Sequence, residues 1–599
     1  MKKIIIILSA FLILILGILF FPRNVEQGVV IGYNSNSITV IVNGKDKVYK
    51  ASETFPKLTV IDFKYNFIKA FSFKVITPIA DRVMIKNTGS YDLESLGKTN
   101  LSSKTYYYTV DKDNNIKLSD SKNLIIGKNN IKSFKTKNGE LKTFFIYPMD
   151  YSNMRVGIST NGFYSVYHSK VQIKTLEPAK LYSMRENLNV DLPKDSIVVI
   201  EKEDSNLKLT INNKTTIYKN RLYIKGNFID FQSIKRGSGS STFSPSYSGV
   251  LEFSISDSGM CVVNDVNLED YLKKVVPSEM PLSGGVEALK CQAVAARTYA
   301  ISDMINNRYA ALGFYVDDST RSQVYNNIPM QPLATEAVDS TKGIIMTYEG
   351  IPIDAKYYST SAGTGVNYSD VWFNADGTSE SRPYIANNNY LTPKIELPKN
   401  EESWLNFYKN TSIKAIDSDY PYFRWKVEYS VAGLTTALNK TLKNLYSGET
   451  SKKYLTIYEN SKQISKLPEL KELQDIKINK RGENGIAIEV SFIFSNAIVN
   501  VKGDSYIRSS IKCNQEYTNE TTKLTRLKGD PLTNVGSLPS AFFSCEKKDN
   551  KFTLYGGGFG HGAGMSQYGA IELSKKGMKY VDILNLFYKD VKIEKIINN

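Results

Sequence analysis

The stretch Val275-Val276-Pro277-Ser278-Glu279-Met280-Pro281 decides how this chain is read. One carboxylate stands between two prolines. Each proline fixes its own φ, and Pro281 pushes Met280 toward an extended conformation. Glu279 is therefore expected on a stiff turn. The sequence runs on as Glu287-Ala288-Leu289-Lys290-Cys291-Gln292-Ala293-Val294-Ala295-Ala296-Arg297-Thr298-Tyr299-Ala300. That run predicts a helix from Val286 to Asn307, with Gln292 and Arg297 in small, apolar surroundings. A rigid acid beside buried polar groups is how a general acid is held. The competing reading is a solvated carboxylate in a Pro-rich turn, the commoner fate of such a Glu.

Upstream, Asn267 followed by Asp270 reads as a helix start, with Asn as cap and the acid near the positive end of the dipole. Glu269 and Asp270 thus have a structural job. Downstream, Gly343 to Tyr348, Glu349-Gly350 and Ile351 to Tyr358 read as a β-hairpin. Much further on stands Gly556-Gly557-Gly558-Phe559-Gly560-His561-Gly562-Ala563-Gly564-Met565-Ser566-Gln567-Tyr568-Gly569-Ala570. Its glycines permit positive φ and close backbone approach. It lacks the Gly-Lys-Ser/Thr of a phosphate loop, and its spacing gives no dinucleotide fingerprint.

At 599 residues the chain exceeds one domain. A net charge of +16 suits an anionic surface such as a membrane or an acidic wall polymer. No basic motif or aromatic-basic stripe points to nucleic acid. Ile4 to Phe21 is an uncharged apolar run behind Lys2-Lys3, read as an uncleaved N-terminal membrane anchor with the rest of the chain outside. A cleaved signal is the alternative. Of the four cysteines, Cys513 and Cys545 lie in polar, loop-like sequence and form the expected disulfide. Cys291 reads as a small buried apolar residue. Between Gln27 and Pro148, short Val/Ile/Tyr/Phe runs alternate with turns, and Asn43-Gly44 marks a hairpin. Arg236-Gly237-Ser238-Gly239-Ser240-Ser241 reads as a linker.

The stretches Leu268-Glu269-Asp270-Tyr271-Leu272, Val275 to Pro281 and Glu287 to Ala300, followed by the Gly556–Ala570 motif, resemble the stage II sporulation protein D family, which includes amidase enhancers. The likeness runs from about Tyr247 to the C-terminus and more weakly from Arg155. Together with the patterns along the chain it gives an α+β reading: an N-terminal transmembrane anchor (1–26), β-rich modules (27–150 and 151–235), and a mixed core (236–398 and 551–599) split by an inserted accessory region (399–550). Tyr422-Phe423-Arg424-Trp425 in that region is mildly family-like.

The resemblance also implies a lytic transglycosylase acting on peptide-stripped peptidoglycan strands, and the expected anchor puts it at the cell membrane. Most glycosidases use two carboxylates. Here the muramic acid's own C6 hydroxyl attacks the anomeric carbon, so one acid suffices, and Glu279 takes that role. Lys290 and Arg297 match family positions on the helix; either could steer Glu279 or hold the lactyl carboxylate, with a solvated face and a buried ion pair as the alternatives. Gln292, His561, Ser566, Gln567 and Tyr568 join the expected substrate groove. His561 either donates to a sugar, buttresses Glu279 or is a hydrogen-bonded structural group. Lys356-Tyr357-Tyr358-Ser359-Thr360-Ser361 resembles a third family segment, which brings Ser359, Thr360 and Ser361 into the groove. Some members carry a zinc-binding His where Tyr358 stands, with cysteines nearby; this chain has neither, and no zinc or other cofactor is expected. The second reading implied by the resemblance is a non-catalytic enhancer that docks on the wall and stimulates a partner amidase.

Overall fold

Asn43 and Gly44 both adopt positive φ, 54° and 76°, the turn whose twist matches that of paired strands. They join Ser37–Val42 to Lys45–Lys50 in full register. The computed structural model describes residues 20–237, 241–374 and 376–596. These fall into two compact units: one of residues 20–275 with Ala300–Pro329, the other of Val276–Tyr299 with Met330–Ile596.

The first unit is built mainly of strands. A five-stranded antiparallel sheet contains the Asn43–Gly44 hairpin and is centred on Arg23–Asn34. Its alternating apolar residues, Val25, Ile38, Val40, Ile61 and Phe63, form one buried cluster. A larger sheet includes Asn153–Gly157, Leu222–Phe231, Ser246–Ser256 and Gly259–Asn267. Charges are buried there in pairs. Arg155 meets Glu252 at 2.7 Å and Asp265 at 3.2 Å, and Arg221 meets Glu252 at 2.7 Å. His168 sits in the same unit, with Nε2 2.8 Å from the Ile158 carbonyl.

In the second unit, Trp425–Ser430 pairs antiparallel with Lys551–Gly556, the strand that leads into the glycine-rich motif. A second five-stranded sheet includes Leu473–Arg481 and Ala487–Phe494. Helix Val431–Ser447 starts at Ser430, whose hydroxyl accepts from Gly433 N. Ile344–Tyr348 turns back into the short strand Ile351–Pro352.

Asn267 caps helix Leu268–Glu279 as expected, its side-chain oxygen accepting from Glu269 N at 3.0 Å. Helix Gly285–Asn306 follows after a short link.

Four expectations are corrected. The α+β chain led by a transmembrane anchor becomes a mixed helix and strand fold, 21% helical and 39% strand. Among the described residues no helix is long and apolar enough to cross a membrane. The longest apolar helix illustrates the reason, since Gly285–Asn306 carries Glu287, Lys290, Arg297 and Asp303. The anchor expected over Ile4–Phe21, and the cell-membrane location that rests on it, falls almost wholly on residues 1–19, outside the described residues. All four cysteines are free thiols; Cys513 is buried with its Sγ 2.8 Å from Tyr429 Oη rather than bonded to Cys545. Arg236, read as linker, is fully buried and paired with Asp318 at 2.5 Å. Finally, Glu279 lies in the last turn of a helix rather than in an extended turn. Pro277 falls within that helix, near its end, where the lost N–H removes one bond only. Met280 N still reaches Val276 O at 3.0 Å, and the backbone leaves the helix at Pro281, with ψ of 134°.

Candidate active site

Glu279 is half-buried at the C-terminal end of its helix. Tyr357 Oη donates to its Oε1 at 3.1 Å. Its backbone carbonyl accepts from Gln567 Nε2 at 3.0 Å, and the same amide reaches Gln292 Oε1 at 3.2 Å. Three segments distant in sequence are therefore linked around Glu279: the Tyr357 strand at its carboxylate, the glycine-rich motif at its backbone carbonyl, and the long helix through the Gln292–Gln567 bond. Gln292 is fully buried, and its Nε2 meets no hydrogen-bond partner among the described residues.

The meeting depends on a two-residue parallel pairing, Tyr357 with Met565 and Tyr358 with Ser566. Gly564 makes the approach possible. Its φ is +79°, and a Cβ there would lie 2.0 Å from the Lys356 carbonyl oxygen, so only glycine fits. Successive strand residues point to opposite faces. Tyr357 turns to Glu279. Tyr358 packs against His561, ring centroids 5.6 Å apart.

The far side of this strand forms a second group. His561 lies 4.9 Å from the Trp372 ring centroid, and its Nδ1 accepts from Ala563 N at 3.2 Å. Lys356 Nζ stands 5.5 Å from the centre of the Trp372 ring and pairs with Asp354 at 2.9 Å. Desolvation first, then the charges of Lys356 and Arg508, push the His561 imidazole down to about 3. It is therefore neutral through the physiological range.

Beneath both groups lies Asp417, fully buried. Its Oδ2 accepts from Ser361 N at 2.7 Å and from Ser566 Oγ at 2.7 Å; its Oδ1 accepts from Ser361 Oγ at 2.6 Å. Burial pushes this carboxyl up, and the Ser361 and Ser566 hydrogen bonds pull against that. Ser566 Oγ also accepts from Gly569 N at 3.1 Å, capping helix Gln567–Lys575. One carboxylate thus ties the Tyr357 arm to the Gln567 arm.

The remaining expected site residues have plain positions. Lys290 pairs with Glu287 at 2.9 Å. Arg297 is fully buried and donates to the Ile344 and Val338 carbonyls at 3.1 and 3.3 Å. Ser359 accepts from Tyr568 N at 3.0 Å through its carbonyl, and Thr360 bridges to Phe559. Tyr568 packs on Tyr420, centroids 4.0 Å apart. Among the described residues no cluster of three His, Cys, Asp or Glu side chains could hold a metal ion. Sequence reasoning missed Asp417, Tyr357 and Tyr420. Asp417 carries no local signal, because its partners lie 56 and 149 residues away.

Two motifs far apart in sequence thus meet at Glu279 in a unit of mixed helix and strand. Residues 256–348 match the family model SpoIID, stage II sporulation protein, and the chain carries a domain of this family. The chain is 30% identical over 324 residues to an amidase enhancer of Bacillus subtilis, covering 53% of this chain and 39% of that protein. It is 27% identical over 345 residues to stage II sporulation protein D of Bacillus subtilis, covering 55% of this chain and 75% of that protein. An uncharacterized protein of Brachyspira hyodysenteriae is 29% identical over 401 residues, 65% of this chain and 85% of that protein. The resemblance read from the two motifs is borne out.

Proposed function

We propose that the chain is a peptidoglycan lytic transglycosylase of sporulation-linked wall remodelling, with Glu279 as its acid and base. The observation that carries this reading is the fixed Glu279 carboxylate, with Tyr357 on one oxygen and Gln567 on its backbone. The glycosidic oxygen takes the Glu279 proton as its bond to the anomeric carbon breaks. The C6 hydroxyl of the muramic residue bonds to that carbon and gives its proton to the Glu279 carboxylate. The product has a 1,6-anhydro ring, and no water is consumed.

Two features suit a group that must hold both states in one turnover. A helix C-terminus carries partial negative charge and favours a neutral carboxyl. The Tyr357 hydroxyl steadies the anion left after proton transfer. Gln292 and Gln567 hold the acid's helix to the opposite arm without adding charge. The test is mass analysis of peptide-free glycan strands after incubation with the purified chain. Anhydro ends that vanish in Glu279→Gln support the reading; intact strands in both samples overturn it.

A second reading is favoured by the relative named an amidase enhancer: a wall-docking protein that stimulates a partner amidase. Under that reading Glu279→Gln leaves stimulation of the partner unchanged.

A further inference from the structure

We propose that one end of the five-stranded sheet centred on Arg23–Asn34 rests on the surface of an anionic lipid layer. The contact is made by the turn between strands Val60–Tyr65 and Ala70–Val75. That turn leaves Phe67 77% exposed and Ile68 51% exposed. Strand Arg23–Asn34 begins beside it, with Arg23 paired to Tyr65 and Asn24 to Lys64. Just ahead of Arg23, Phe20 and Phe21 are 45% and 70% exposed. The register therefore brings uncovered large apolar side chains from two segments to the same end of one sheet.

The turn is built to hold its residues outward. Asn66 Oδ1 accepts from Ile68 N at 2.9 Å and from Lys69 N at 3.0 Å, and Asn66 N donates to Lys69 O at 3.1 Å. An Asn side chain bonded to its own backbone further on fixes a turn. The core of this sheet, Val25, Val40, Ile61 and Phe63 with Tyr49 and Tyr65 packed at its edge, closes without Phe67 or Ile68. A single exposed apolar residue is ordinary, but a contiguous group on a fixed backbone marks a surface that something covers.

Charge names what covers it. Arg23, Lys64 and Lys69 are exposed and flank the apolar side chains. The stretches 20–25 and 63–75 contain no Asp or Glu. Cations around an apolar tip, without carboxylates, match an anionic lipid surface: the apolar groups enter the headgroup boundary while the ammonium and guanidinium groups meet phosphate. Lys and Arg have long stems that let their heads reach sideways from an apolar patch. A sugar polymer would meet the charges and leave Phe67 and Ile68 in water. An apolar protein surface would cover the rings and leave the charges unmet. The contact is with headgroups alone and crosses nothing.

The experiment uses the full chain with vesicles of phosphatidylcholine alone and of phosphatidylcholine with about a quarter phosphatidylglycerol. A Phe67→Trp variant reports on the turn itself, read as the difference in emission from wild type. On the anionic vesicles that difference should move to the blue and be quenched by lipids brominated on their acyl chains. Phe67→Ser/Ile68→Ser should weaken binding to these vesicles about tenfold. Lys64→Gln/Lys69→Gln should weaken it too, and added salt should then have less effect on what remains. Emission that stays unshifted and unquenched while the chain is carried with the vesicles would overturn the proposal. Equal binding to both compositions would do the same, as would unchanged binding of the serine variant at an unaltered melting temperature. Self-association without lipid that the serine variant abolishes would assign the patch to a second copy instead.

Discussion

Tyr357 and Tyr358 are neighbours in sequence, yet they serve opposite faces of one short strand. Tyr357 reaches the half-buried Glu279 carboxylate, whose backbone carbonyl accepts from Gln567 of the glycine-rich motif. Tyr358 is buried against His561, a group that Lys356, Arg508 and desolvation hold neutral. The first face holds a half-buried carboxylate with Tyr357 on one of its oxygens. The second has its titratable group locked in one state, with Nδ1 already bonded to Ala563 N. The comparison teaches that a polar residue inside a strong motif need not be chemical. We assign the chemistry to the Glu279 face and support of the strand to the His561 face, with Asp417 holding both in place.

The comparison can be broken in four ways. The largest effect is expected from Glu279→Gln, which should lower the rate of anhydro product formation about a thousandfold or more. Activity within tenfold of wild type would place the acid elsewhere. Asp417→Ala comes next. It leaves Ser361 and Ser566 without their buried partner and should cost about 3 kcal/mol of stability, read as a lower melting temperature and denaturant midpoint. An unchanged melt would deny Asp417 its fastening role.

Tyr357→Phe removes one hydrogen bond to the carboxylate, which should slow turnover about tenfold with KM nearly unchanged. A rise confined to KM would recast Tyr357 as a substrate contact. The smallest effect on rate belongs to His561→Gln, within about twofold near neutral pH. Its signature is instead in stability against pH. The folded imidazole titrates near 3, below the ordinary 6.5, so between those values the unfolded chain binds more protons. Stability should therefore fall as pH drops from 6.5 toward 3. The share due to His561, on the order of 1–2 kcal/mol after allowing for its partial exposure, should be missing in the Gln variant. Equal acid sensitivity in both proteins would contradict that assignment.

What the sequence revealed follows from how local each signal is. Asn267, the Asn43–Gly44 turn and the small apolar run after Gly285 act through neighbours, and each formed as its residue types require. Glu279 stood out because prolines flank it, although the prolines close a helix instead of shaping a turn. Gln292 and Gln567 were legible as members of two motifs, but their contact joins positions 275 residues apart. Asp417 was invisible because a single Asp in a polar stretch announces nothing until Ser361 and Ser566 fold onto it. The opposite facing of Tyr357 and Tyr358 needed the pairing with Met565–Ser566, a register that no local pattern sets. Cys513 looked loop-like, but in the folded unit its thiol is buried against Tyr429.

The most direct measurement places wild type, Glu279→Gln and His561→Gln side by side on peptide-free glycan strands and counts 1,6-anhydro ends by mass at neutral pH. The account expects abundant ends from wild type, nearly as many from His561→Gln and none above background from Glu279→Gln. Loss of product in His561→Gln with retention in Glu279→Gln would contradict it.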